Sequence, residues 1–144
     1  MKTKIIRATT VPESFDFCYG MFKEMSEKYE VVALSSPLKE LDEVREREGV
    51  RTIGVKMERH ISLLNDIKSL WKLFNVFRKE KPKMVHSMTP KAGLLCMMAS
   101  WMARVPVRVH TFTGLVFPTS TGLTKRILMF TDWLTCACAT HIIP

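Results

Sequence analysis

Apolar positions recur along this chain with two alternating spacings. Short β-branched runs alternate with longer stretches whose apolar residues repeat every three to four positions. Lys4–Thr10, centred on Ile5 and Ile6, predicts a first strand. Ser14–Lys28 predicts a helix with Phe15, Cys18, Phe22 and Met25 as its stripe. Glu30–Ser35 predicts a second strand, Leu38–Glu48 a charged helix stopped by Gly49, and Arg51–Val55 a short strand near an edge. Ser62–Glu80 is a long amphipathic helix ended by Pro82. Leu63, Ile67, Leu70, Trp71, Phe74 and Phe77 make its expected core face, and Lys68, Lys72, Asn75 and Lys79 the opposite one. Three more units follow: strand Met84–His86 with helix Thr89–Arg104, strand Pro106–Phe112 with a loop and helix Leu123–Ala139, and strand Thr140–Ile143. Strands joined by crossover helices imply an α/β fold. It is a Rossmann-like, doubly wound parallel sheet of about six strands with helices on both faces.

Composition narrows this only a little. At 144 residues and 47% hydrophobic the chain suits one domain with a full core. A net charge of +8 favours phosphate-bearing partners. No nucleic-acid motif accompanies the charge, so nucleic acid is not an expected partner. Cys18, Cys96, Cys136 and Cys138 fall in helical segments without disulfide or zinc spacing, and read as reduced thiols. MKTKIIRATT does not read as a secretory leader, because Arg7 interrupts its apolar run. The longest charge-free apolar run, Ala92–Ala103, is shorter than the roughly 20 residues of a membrane span. A cytoplasmic protein is expected, peripheral at most on the inner face of the membrane. The basic face Lys68, Lys72, Arg78 and Lys79 is the candidate for contact with anionic lipid.

The strand-to-helix junctions carry the chemistry, because ligands bind at the carboxyl ends of strands in such sheets. The first junction, Thr10 to Phe15, has no glycine, which argues against a dinucleotide there. Thr10, Glu13 and Ser14 suit sugar hydroxyls, although Ser14 equally suits a helix cap. At the second junction, MVHSMTPKAG, Thr89 is a good N-cap and Pro90 a good first helical residue. His86 and Thr89 suit a polar ligand, and Lys91 would face its phosphate at the helix N-terminus. At the third, Gly114, after Thr113, lets backbone approach a ligand or adopt positive φ, while His110 reads as a packed or outward-facing histidine rather than a catalyst. No nucleophile–base pair, HExxH motif or P-loop is present, so no metal site and no complete catalytic apparatus are expected.

MVHSMTPKAGLLCMMA, VRVHTFTGLVFPTSTG and THIIP together resemble the N-terminal domain of bacterial family 4 glycosyltransferases of the capsule, exopolysaccharide and O-antigen type. VPESF, LSSP and EREGV sit where that family places similar phrases. The resemblance implies one half of a GT-B fold, with residues 1–144 as the acceptor-side domain and a donor-binding domain beyond them. It implies transfer with retention from a nucleotide-sugar, a UDP-sugar first among donors, to a saccharide or polyprenyl-diphosphate-linked acceptor. It implies no other cofactor and no metal. Paired glutamates are expected in the second domain, which is this one's own partner, and this domain alone is expected to be inactive. Carried onto this chain, the cleft would be lined by Pro12, Glu13, Ser14, Phe15, His86, Thr89, Lys91, Gly93, Thr113 and Gly114. Two positions depart from the family: the first loop lacks glycine, and Thr113 stands where many relatives have histidine. No catalytic base is therefore assigned here. The competing readings are a GT-B-like sugar-nucleotide epimerase and a Rossmann-like binding module.

Overall fold

The computed structural model describes residues 3–10, 15, 21–58, 63–112 and 122–143. Six parallel strands form one sheet: β1 (Thr3–Ala8), β2 (Tyr29–Ser35), β3 (Arg51–Gly54), β4 (Met84–Ser87), β5 (Val107–Thr111) and β6 (His141–Ile143). Their order is β3-β2-β1-β4-β5-β6. The chain winds outward from β1 to β3, crosses back, and winds outward from β4 to β6. The order reverses between β1 and β4, which is where a doubly wound sheet opens a crevice. The expected fold class is the observed one, with β3 at an edge.

Two apolar layers sandwich the sheet. On one face Phe22 of α1 (Met21–Met25) and Leu41 and Val44 of α2 (Lys39–Glu48) cover Val31 and Ala33, with Phe15 buried among them. Gly49 ends α2 with a left-handed φ of 66° and returns its N–H to the Arg45 carbonyl, as a glycine C-cap should. On the other face α3 (Leu63–Glu80), α4 (Pro90–Met102) and α5 (Gly122–Cys138) cover Ile6, Val32, Leu34 and Val85. α4 is the most deeply packed of the three, as its nearly uniform apolar sequence requires.

α3 is rolled relative to the sequence expectation. Its buried stripe is Ser69, Leu73 and Phe77. Leu63, Ile67 and Trp71, expected in the core, are exposed, Trp71 to 55%. Two polar contacts explain the roll. Ser69 Oγ donates to the Lys56 carbonyl at 2.5 Å, and Asp66 turns inward to meet Lys91 at 2.7 Å. A small residue at the centre of the face lets α3 approach α4 closely, and the larger apolar side chains are left outside.

Candidate functional site

Hydroxyl groups stitch the crevice floor between β1 and β4. Thr10 follows β1 and Thr89 follows β4. The Thr10 backbone N–H donates to Thr89 Oγ1 at 2.9 Å, and the two side-chain oxygens are 2.8 Å apart. Ser36, just beyond β2, donates its hydroxyl to the Thr10 carbonyl at 2.7 Å and accepts the Met57 N–H at 3.1 Å. Three strand ends are thereby held in one network of short bonds whose members are mostly buried, which favours a rigid floor.

Thr89 sits at the N-cap of α4 with extended backbone, but its own side chain makes no cap bond. Thr10 caps the helix instead, accepting the Ala92 N–H at 3.2 Å. The Gly93 N–H returns to the Thr89 carbonyl at 2.7 Å, and Pro90 has no N–H to offer. The helix start is thus largely satisfied by the fold. Lys91, expected to face a phosphate, is paired with Asp66 at 2.7 Å, the two side chains only 10% and 16% exposed. Asp66 belongs to the first turn of α3, where a carboxylate is favourable. The pair ties the starts of α3 and α4 together.

Two histidines flank the β4–β5 seam on opposite faces. His86 Nε2 lies 2.7 Å from Thr111 Oγ1. Its pKa is lowered to about 4 by burial, then by the Arg7 guanidinium and by His110. His110 Nδ1 lies 2.8 Å from Ser87 Oγ, and its ring meets Phe112 edge-on at 4.6 Å. Burial lowers its pKa to about 4 as well, with a hydrogen bond to Ser87 opposing. Both rings are neutral at pH 7. His86 therefore offers a sugar-like ligand a hydrogen-bonding imidazole, not a cation for a phosphate. Arg7, in register with His86 across β1 and β4, is 5% exposed. Its guanidinium rests among the sulfurs of Met21, Met25 and Met88 and over the Phe22 ring.

The structure pairs His86 with Thr111 across the β4–β5 seam and Thr10 with Thr89 across the β1–β4 seam. Phe15, expected on the cleft wall, is instead fully buried and packs edge-on against Phe22 at 5.2 Å, because an aromatic ring there completes the α1 core. Gly93 is a packing residue rather than a wall: a Cβ there would meet the His110 ring, 2.6 Å from Nδ1. Pro12, Glu13, Ser14, Thr113 and Gly114 lie outside the described residues. Sequence reasoning did not identify Ser36, Asp66, Arg7 and Thr111 as parts of this region. An arginine interrupting the IIRATT strand was the one visible signal of a buried cation beside the seam.

Residues 18–144 match the model of the glycosyl transferase 4-like domain. The chain is 36% identical over 141 residues to the capsular polysaccharide biosynthesis glycosyltransferase CapM of Staphylococcus aureus, covering 97% of this chain and 36% of that protein. It is 36% identical over 88 residues to the UDP-Gal:alpha-D-GlcNAc-diphosphoundecaprenol alpha-1,3-galactosyltransferase of Escherichia coli, covering 59% of this chain and 22% of that one. Among solved structures, UDP-GlcNAc 2-epimerase from Neisseria meningitidis bound to UDP-GlcNAc superposes with a TM-score of 0.69 at 15% identity, over 99% of this chain and 40% of that one. The last likeness concerns fold alone. The chain spans about a third or less of the length of the curated relatives it matches. With its parallel six-stranded sheet and a family match across most of its length, the chain belongs to the glycosyl transferase 4-like domain family.

Proposed function

We propose that this chain is the acceptor-side half of a retaining, nucleotide-sugar-dependent glycosyltransferase of cell-surface polysaccharide synthesis. The donor is a UDP-sugar, and the acceptor a saccharide on a polyprenyl diphosphate. One observation carries the reading: 36% identity to CapM across 97% of the chain. The site supports it physically. Hydroxyls of Thr10 and Thr89 meet at the switch-point crevice, and the neutral His86 imidazole and the Thr111 hydroxyl meet at the next seam. Such groups exchange hydrogen bonds with sugar hydroxyls and carry no fixed charge. The donor half, with its paired glutamates, is expected beyond these residues.

The test is full-length protein with radiolabelled UDP-sugars and membrane extract containing lipid-linked saccharides. Label is expected to move into the organic-extractable acceptor with its anomeric configuration kept. Conversion of the UDP-sugar to its epimer with no transfer would instead establish the epimerase reading, which the likeness to an epimerase fold keeps in view.

A lipid-linked acceptor must be met at a membrane surface, and α3 is suited to one. Its outer side carries Leu64, Ile67 and Trp71, all more than half exposed, beside Lys68, Lys72 and Lys79. No helix among the described residues is long and apolar enough to cross a membrane. Over the helices of the described structure the α3–α5 layer holds seven Lys and Arg against three Asp and Glu, whereas α1 and α2 hold four against six. Each cation near an anionic leaflet contributes about 1 kcal/mol, so neutralising three costs roughly 100-fold in binding and reversing them more. The K68E/K72E/K79E variant is expected to lose co-flotation with phosphatidylglycerol vesicles at low salt. Undiminished flotation would show this face to be merely solvated.

A further inference from the structure

The amino-terminal end of the sheet, opposite the crevice, holds a second candidate site. α3 and α4 both finish there, and both finish in the same unusual way. α3 ends with Lys81 in the left-handed region, φ 49°, its N–H returning to the Phe77 carbonyl at 3.0 Å. α4 ends with Arg104 at φ 61°, where Arg104 N–H bonds the Trp101 carbonyl and Val105 N–H the Ser100 carbonyl. These are the αL and Schellman endings, and glycine is their usual occupant. Here both positions carry a long cation on backbone that a side chain disfavours. A proline follows each, at 82 and 106, before the chain enters β4 and β5.

The two endings border an open cavity of about 340 Å³ lined by the exposed Arg78, Lys81, Lys83 and Arg104 over Phe77 and Pro82. No acidic residue lines it. Among the described residues none of the four cations is within ion-pair distance of a carboxylate, although Glu80 nearby is taken by Lys4 and Arg51. Cations at helix C-termini also answer the helix dipoles. That explanation is too small here: two helix ends present roughly −0.5 charge each, against four full positive charges. The end carbonyls, moreover, are in part already bonded by the Schellman and αL N–H groups. An adjoining hollow shares Arg78, Ala103 and Arg104 and adds Phe74 and Met102, a shelf for carbon.

We propose that this cavity binds a phosphate or diphosphate ester, with the four cations on the phosphate oxygens and Phe74 and Met102 against the attached carbon skeleton. The site is separate from the crevice and from the outer lysines Lys68, Lys72 and Lys79; Arg78, grouped with them in the sequence, lines this cavity instead, and the site stands whether or not the glycosyltransferase reading does. The phosphate belongs either to a soluble ester or to a lipid headgroup, which present the same chemistry to the cations.

The left-handed endings make a discriminating variant available. K81G/R104G removes two charges while installing the residue that the backbone favours, so the fold is retained. Titration of the full chain with pyrophosphate, followed by melting temperature and calorimetry in 0.1 M salt, is expected to show saturable binding. K81G/R104G, and separately R78Q/K83Q, are expected to weaken it at least tenfold, with the unliganded melting temperature held by the glycine pair. K68E/K72E/K79E is expected to bind pyrophosphate as the wild type does. Displacement of the protein from phosphatidylglycerol vesicles by pyrophosphate, lost in K81G/R104G, would identify a lipid headgroup as the source. Pyrophosphate binding without such displacement would identify a soluble ester. Absence of saturable binding, or equal affinity in wild type and both charge-removing variants, would overturn the proposal.

Discussion

Replacing Gly93 with alanine is expected to destabilise the domain by about 3 kcal/mol, although alanine is the better helix former by about 1 kcal/mol. Gly93 lies in the first turn of α4 and is buried. An added Cβ would overlap the His110 imidazole, with Nδ1 2.6 Å and Nε2 2.9 Å away. His110 cannot retreat cheaply, because it is 2% exposed, bonded to Ser87 Oγ and wedged against Phe112. Overpacking costs roughly 1–3 kcal/mol, and forcing the buried Ser87–His110 bond apart adds about 1–3. The clash outweighs the propensity gain. A loss near 3 kcal/mol lowers the melting temperature of a chain this size by about 10 °C. The double variant G93A/H110A is expected to be less destabilised than the two single losses summed, by more than about 1 kcal/mol, since the overlap vanishes with the ring. Urea denaturation of the four proteins measures this. Stability equal to wild type in G93A alone would mean that α4 and β5 are not pressed together as described.

The same glycine shows where the sequence was legible and where it was not. Strand and helix order followed from short apolar runs and helical spacing, the parallel sheet from the alternation of strands with crossover helices, and the edge position of β3 from its shortness. The glycine in TPKAG was placed on the cleft wall by the family resemblance alone. Spacing does not say whether it faces a ligand or a histidine 17 residues downstream, which only the register of β4 on β5 brings there. Lys91 has the same history. A cation at a helix start suggests an anion, and Asp66 of α3 is the anion, supplied by a helix roll that periodicity did not reveal. Trp71 was assigned inward as one of the apolar residues at helical spacing; Ser69, the small residue two positions before it, occupies the core side. Thr10, by contrast, was legible as a polar group at a strand end, and the structure adds that it caps the helix after a different strand.

Stability is expected to fall steeply as pH drops from about 6.5 toward 4, and the two buried histidines are the reason. Each has a native pKa of about 4 against an unfolded value of 6.5. Between those values the unfolded chain binds protons that the native chain refuses. Unfolding is then favoured by acid, and stability rises with pH across the window and levels off above it. At about 1.4 kcal/mol per unit the two shifts set a ceiling near 7 kcal/mol, which the partial exposure of His86 reduces to roughly 4. That is a large share of the 5–15 kcal/mol typical of a domain. Carboxylates lose their pairings at lower pH, so the span from 6.5 to 5 belongs mainly to imidazole. His86 and His110 are coupled, because they repel when both are charged, and Arg7 adds to the cost of charging His86. Urea midpoints measured from pH 7.5 to 4.5 are expected to decline below 6.5 in the wild type. The H86N and H110N variants, lower in absolute stability, should each decline less steeply, and the double variant should be nearly flat down to pH 5. An unchanged slope in the double variant would place the acid sensitivity elsewhere. The crevice would inherit the same dependence: below about pH 4 a charged His86 beside Arg7 would repel its neighbours and lose its role as a neutral hydrogen-bonding wall.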